Sequence, residues 1–177
     1  MKQWYKTRKK DPFYIKAKKN DIISRAYYKL EEIDKKHNLF KNDKKILDVG
    51  CSPGGWIQYI LNKHPKNKIV GIDILPTVKQ IEGKFKFYMM DLNQYQLIDE
   101  LFTLNKYTFD SIISDIAPNT SGNQFLDQTN SYILSMLSAK FIEKYLNKGG
   151  NFLVKNFQGE DTDCLLYTSD AADEHGC

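Results

Sequence analysis

Apolar residues follow two patterns in this chain, and the patterns alternate. Ile23, Ala26, Tyr27, Leu30 and Ile33 recur at three- and four-residue steps, with charges on the other face, which predicts a helix over Ile22–His37. Asp21 precedes it as a candidate cap. Lys44–Gly50 (KKILDVG) is a short apolar run ending in glycine, the mark of a buried strand. Pro53-Gly54-Gly55 turns the chain into a helix over Trp56–Asn62. Further strands are predicted at Lys68–Asp73, Phe85–Met90, Phe109–Asp115 and Asn151–Lys155. Helices fall at Tyr95–Leu104 and Leu126–Leu146, the second closed by the stop signal Lys148-Gly149-Gly150. Alternating strands and helices imply an α/β fold with a parallel sheet and right-handed crossovers.

Length and composition keep this picture simple. The 177 residues suit one domain, and 41% hydrophobic content with 13% aromatics is enough to bury a core. With no run of about 18 apolar residues, no membrane-spanning helix is expected. Three cysteines, Cys51, Cys164 and Cys177, make no disulfide framework, so a reducing, intracellular setting is expected: cytoplasm, nucleolus or an organelle such as the mitochondrion. A monomer is expected.

Charge changes the picture more. Residues 1–45 hold 15 Lys/Arg against 6 Asp/Glu, whereas the remainder is net acidic. Residues 1–20 therefore read as a basic N-terminal extension facing a polyanion, with a solvated lysine-rich tail as the alternative. Residues 21–163 form the folded domain. From Gly159 onward there is no Lys or Arg, and residues 164–177 are expected to be a non-native or disordered tail.

Candidate chemistry gathers at predicted strand ends. Asp48-Val-Gly50-Cys-Ser-Pro53-Gly54-Gly55-Trp56 joins a strand to a helix, where glycines allow close backbone approach and the helix offers free N–H groups. The spacing is not GxGxxG, which favours a small nucleoside-bearing ligand over a dinucleotide; a plain tight turn is the alternative. Asp73 follows Gly54 by 19 residues and ends the second strand, where an acid reaches ribose hydroxyls. Asp91 follows the third strand and Asp115 ends the fourth, beside the expected switch point. Lys155 ends the fifth strand, expected inside the sheet, and points into the same crevice as Asp115. Lys29 sits mid-helix; taken alone it reads as a lysine that extends to solvent. His37, His64 and His175 have no ligand spacing, so no metal is expected.

SRAYYKLEEID, LDVGCSPGGWIQYI, GIDILP, SDIAPNTSG and GGNFLVKNFQGE, in this order, resemble the FtsJ-type ribosomal RNA 2′-O-methyltransferases from about Asp11 to about Asp161. The resemblance implies a Rossmann-like methyltransferase fold with S-adenosylmethionine as methyl donor. It implies a ribose, expected to be uridine, in ribosomal RNA of the large subunit as acceptor. Position by position, Gly54 and Trp56 match the family's cofactor loop, Asp73 its cofactor-ribose acid and Asp91 its adenine-side acid. Asp115 matches an acid near both cofactor and catalytic centre, Lys155 the catalytic lysine, and Lys29 the first lysine of a Lys-Asp-Lys-Glu tetrad. By family spacing the tetrad glutamate and the two closing C-terminal strands fall beyond Cys177.

The chemistry follows independently. A ribose 2′-hydroxyl must lose its proton as it attacks a sulfonium methyl, so the protein supplies position and charge management. A lysine is protonated at neutral pH and is a poor base as found. A neighbouring cation (Lys29) and burial favour its neutral form, whereas Asp115 opposes this and is expected to orient Lys155. Lys16, Lys18, Lys19 and Arg25, interleaved with Phe13, Tyr14, Tyr27 and Tyr28, suit phosphates and bases, although Tyr27 reads better as core. The polar loop Asn119-Thr120-Ser121-Gly122 is expected near the target nucleotide. A transfer-RNA 2′-O-methyltransferase and an inactive RNA- or cofactor-binding fragment stay open as alternatives.

Overall fold

The computed structural model describes residues 11–41, 44–77, 81, 83–119 and 121–157. Five strands form one parallel sheet in the order β3-β2-β1-β4-β5: β1 Lys45–Val49, β2 Lys68–Asp73, β3 Phe85–Met89, β4 Phe109–Ser114 and β5 Leu146–Val154. The helices are α1 Pro12–Lys19, α2 Ala26–His37, α3 Gly55–Lys63, α4 Tyr95–Leu104 and α5 Gln124–Tyr145. Successive units run outward from β1 in both directions, so the switch point lies between β1 and β4.

Strand alternation explains the two cores. Ile46 on β1, Ile69 on β2 and Ile113 on β4 pack with Tyr27, Leu30, Trp56, Ile57 and Ile60 of α2 and α3. Leu47, Val49, Val70, Ile72 and Ile112 face the other way, against Ile98, Phe102 and Phe141 of α4 and α5. Each such side chain contributes about 1.5–3 kcal/mol of transfer free energy when fully buried. With both faces covered, β1 is buried from its second residue on, which is why it reads as a continuous apolar run.

Several boundaries differ from expectation, each for a local reason. The helix predicted from Ile22 begins at Ala26, and Asp21 takes φ 56° in the connection instead of capping it. Its hydrophobic repeat begins early because Ile22 packs on the core from the loop. A helix not predicted, α1, stands in the basic extension. Pro12 fills its first turn, and Asp11 Oδ1 accepts from Phe13 N (2.9 Å) and Tyr14 N (3.3 Å). Asp11 also pairs with Arg25, and Ala17 is buried in the core. The glycines after α5 do not end it; Tyr145 does, and Leu146–Gly150 belong to β5, whose register slips between Phe109 and Ser111. β5 was expected inside the sheet. Among the described residues it is the edge strand beyond β4, since nothing described pairs with its other side. The expectation for residues 164–177 lies outside the described residues. No helix among the described residues is long and apolar enough to cross a membrane.

Candidate active site

Parallel pairing brings the strand ends to one rim. Ser114 pairs with Val154, so Asp115 and Lys155 stand side by side one step later, on the face of Ile113 and Leu153. Lys155 N donates to Ser114 O at 2.9 Å and so continues the ladder by one bond. Lys155 Nζ lies 2.9 Å from Asp115 Oδ1 and donates to the Asp115 carbonyl at 2.7 Å. Lys29 Nζ lies 3.1 Å from the same carboxylate oxygen. Lys29, read alone as solvent-facing, thus carries an exposed stem whose ammonium turns back onto Asp115; α2, packed on α3, delivers it across the rim. Lys29 is fixed by a charge-assisted hydrogen bond to this oxygen, and Lys155 by an ion pair with it beside the hydrogen bond to the Asp115 carbonyl.

The glycine turn borders this group. Gly50 and Cys51 donate their N–H groups to Ile72 O, and the Ser52–Pro53 peptide is cis. Gly54 stands at φ 110° immediately before α3, a conformation that L side chains rarely adopt, and the Ile81 methyl occupies the place of a Cβ. Asp73 closes β2. Its Oδ2 accepts from Ser52 N and its Oδ1 from Leu75 N, both at 2.8 Å, so it braces the turn while each oxygen keeps a lone pair. Asp91 caps the short turn Leu92–Gln94 through Asn93 N at 2.9 Å. Among the described residues neither acid is bonded to the lysine–aspartate group. Trp56 is 4% exposed and donates Nε1–H to Ala26 O at 3.0 Å, so its ring ties α3 to α2. What it offers a ligand is its main chain at a helix N-terminus.

The residues present fit a nucleoside-bearing cofactor. A glycine turn without a Cβ, a free helix start, and acids at the ends of β2 and after β3 form one rim. Asp48 adds a buried orphan: it is 1% exposed and its Oδ2 has no partner among the described residues. Burial, then the Asp115 and Asp73 carboxylates, hold its carboxyl well above the usual range and favour its protonated form. The same rim pushes the Cys51 thiol up, through burial and then Asp48 and Asp73, and makes it unreactive. The sequence places Asp48 at the head of the glycine turn but gives it no role of its own; an acid within an apolar run was the available signal.

The loop expected to touch the target is pinned from below. Asp127 accepts from Ser121 N (2.7 Å), Ser121 Oγ (2.8 Å) and Gly122 N (3.3 Å). These bonds hold its carboxyl below the usual range. Thr120 lies outside the described residues.

Comparison with known proteins gives the family and the fold. Residues 22–172 match the family described as FtsJ-like methyltransferase. Ribosomal RNA large subunit methyltransferase E of Buchnera aphidicola is 39% identical over 159 residues, 89% of this chain and 77% of that protein. The protein of the same name from Legionella pneumophila (strain Lens) is 37% identical over 175 residues, 98% of this chain and 84% of its own length. A crystal structure from Plasmodium falciparum, described as that of a ribosomal RNA methyltransferase, superposes with TM-score 0.74 at 34% identity. It covers 83% of this chain and 85% of that one.

Proposed function

The chain belongs to the FtsJ-like methyltransferase family, and from that premise we propose that it methylates a ribose 2′-hydroxyl, that of a uridine, in large-subunit ribosomal RNA. S-adenosylmethionine, when bound, supplies an electrophilic methyl group. The observation that carries the reading is the pair of ammonium groups on Asp115 Oδ1, at 2.9 Å from Lys155 and 3.1 Å from Lys29.

In this reading Gly54 and the main chain at Trp56 receive the cofactor closely. Asp73 accepts from its ribose hydroxyls and Asp91 from its adenine amine. Asp115 orients Lys155 Nζ, which, once it has given up its ammonium proton to solvent, takes the 2′-hydroxyl proton as the 2′-oxygen bonds to the methyl carbon and the methyl–sulfur bond breaks, so that the thioether leaves; general-base help of this kind is worth about 10²–10⁴ in rate. Lys29 shares the carboxylate and so weakens the hold of Asp115 on the Lys155 ammonium.

The basic front supports an RNA acceptor. Lys16, Lys18 and Lys19 occupy the last turn of α1, beside Phe13 (42% exposed), and Lys16 Nζ sits 4.2 Å over the Tyr28 ring. Tyr27 and Tyr28 are themselves core residues, at 8% and 5% exposure, so stacking on a base falls to the exposed Phe13 and the half-buried Tyr14.

Label transfer from methyl-tritiated cofactor to large-subunit ribosomal RNA and to bulk transfer RNA tests the reading. Label is expected in the ribosomal RNA, in an alkali-resistant dinucleotide that marks a 2′-O-methyl group. Label only in transfer RNA, or on a base, would overturn it.

A further inference from the structure

Lys155 leaves the sheet on a strand with one neighbour among the described residues. Its ladder stops at Val154, and after the Lys155 N–Ser114 O bond the main chain of 155–157 is held from α5. Ser131 Oγ accepts from Phe157 N at 2.9 Å and donates to Asn156 Oδ1 at 3.0 Å. One turn later Ser135 Oγ lies 3.3 Å from both Lys155 O and Asn156 Oδ1, and 2.9 Å from Ser131 O. Ser131 and Ser135 are each 1% exposed. Serine forms helix less readily than alanine or leucine, and a buried hydroxyl costs free energy unless it is bonded. Here the hydroxyls are bonded: Ser131 to Asn156 and the Phe157 amide, and Ser135 to Ser131 O as well as to Lys155 O and Asn156.

We propose that Ser131, acting through Asn156 and the Phe157 amide, is a positioning residue that keeps Lys155 Nζ on Asp115. The inference rests on the role given to Lys155 above. An apolar helix face would pack against β5 equally well but would lack the hydroxyl that accepts from Phe157 N and donates to Asn156, and so would hold the 155–157 segment less firmly. A displacement of about 1 Å at a reacting group lowers turnover by as much as a hundredfold without weakening substrate binding.

Ser131→Ala and Asn156→Ala are each expected to lower kcat about tenfold while KM for cofactor and for RNA stays within about twofold. The double variant is expected to be slower than either single one but by less than the product of the two effects, because both changes remove the Ser131–Asn156 bond. A second readout needs no turnover: the NMR signal of the Lys155 ammonium, protected by its bonds to Asp115, is expected to be lost to exchange in both variants. The Lys144 ammonium, bonded to Asp99 at 2.7 Å, is the internal control and is expected not to change. If Ser131→Ala fails to fold, Asn156→Ala, at a half-buried side chain, carries the same test. Unchanged kcat with an unchanged Lys155 signal would overturn the proposal, as would a loss shared equally between kcat and KM. Should Lys155→Ala itself stay active, the role of Lys155 fails instead, and the ammonium signal alone decides the role of Ser131.

Discussion

A carboxyl group at the heart of a fold, without a partner, costs stability unless it keeps its proton. Asp48 is such a group, and burial with the Asp115 and Asp73 charges holds its proton well past the usual range. The unfolded chain ionises it near pH ~3.9, so it subtracts stability as pH rises from there toward the raised value in the fold. Asp48→Asn is therefore expected to stabilise the protein at about pH 8, by more than about 1 kcal/mol, with the gain vanishing below about pH 4. Urea melts of both proteins at the two pH values check this; a variant less stable at the higher pH would mean that the fold needs the charge. At this scale Lys155 and Asp115 were legible because each ends an apolar run, and strand ends of a parallel sheet share a rim. Lys29 was legible only through the family motif, since nothing local says that its ammonium turns inward. Ser131 stayed hidden because its burial is a property of neighbours far along the chain, and Asp48 was legible as part of the glycine turn but not as an unpaired acid, for the same reason.

Elements carry the site through a few special conformations. Gly54 at φ 110° starts α3, and a side chain there costs about 1–2 kcal/mol in backbone strain. Gly54→Ala is expected to lower the melting temperature modestly and to weaken cofactor binding at least about tenfold, about 1.4 kcal/mol or more, measured by calorimetry. Unchanged affinity would remove the turn from the cofactor site. β1 to β4 and α3 to α5 fell within a few residues of expectation, since burial on one or both faces fixes their periodicity. α1 was missed because its lysines mask the repeat, although Asp11-Pro12 spells a cap followed by a first-turn proline. The extent of β5 was misjudged because Gly149, at φ 74°, was read as a helix stop, whereas it lies within the slipped register of that strand.

Across the whole molecule, charge and chemistry are separated in sequence and joined in space. The net-basic first 45 residues include α1 and α2, and α2 delivers Lys29 to the rim built by β4 and β5. RNA affinity is expected to fall steeply with salt. Lys16→Glu with Lys18→Glu and Lys19→Glu is expected to reduce that slope by about 0.7 for each single-strand phosphate that the protein no longer neutralises. Cofactor affinity should not change, and an unaltered salt slope would move the RNA elsewhere. The most direct measurement is single-turnover methyl transfer by Lys155→Ala beside the wild type, with cofactor affinity measured on the same samples. The account predicts a rate lower by about 10²–10⁴ with cofactor affinity within about threefold. A variant that transfers methyl groups at the wild-type rate would contradict it.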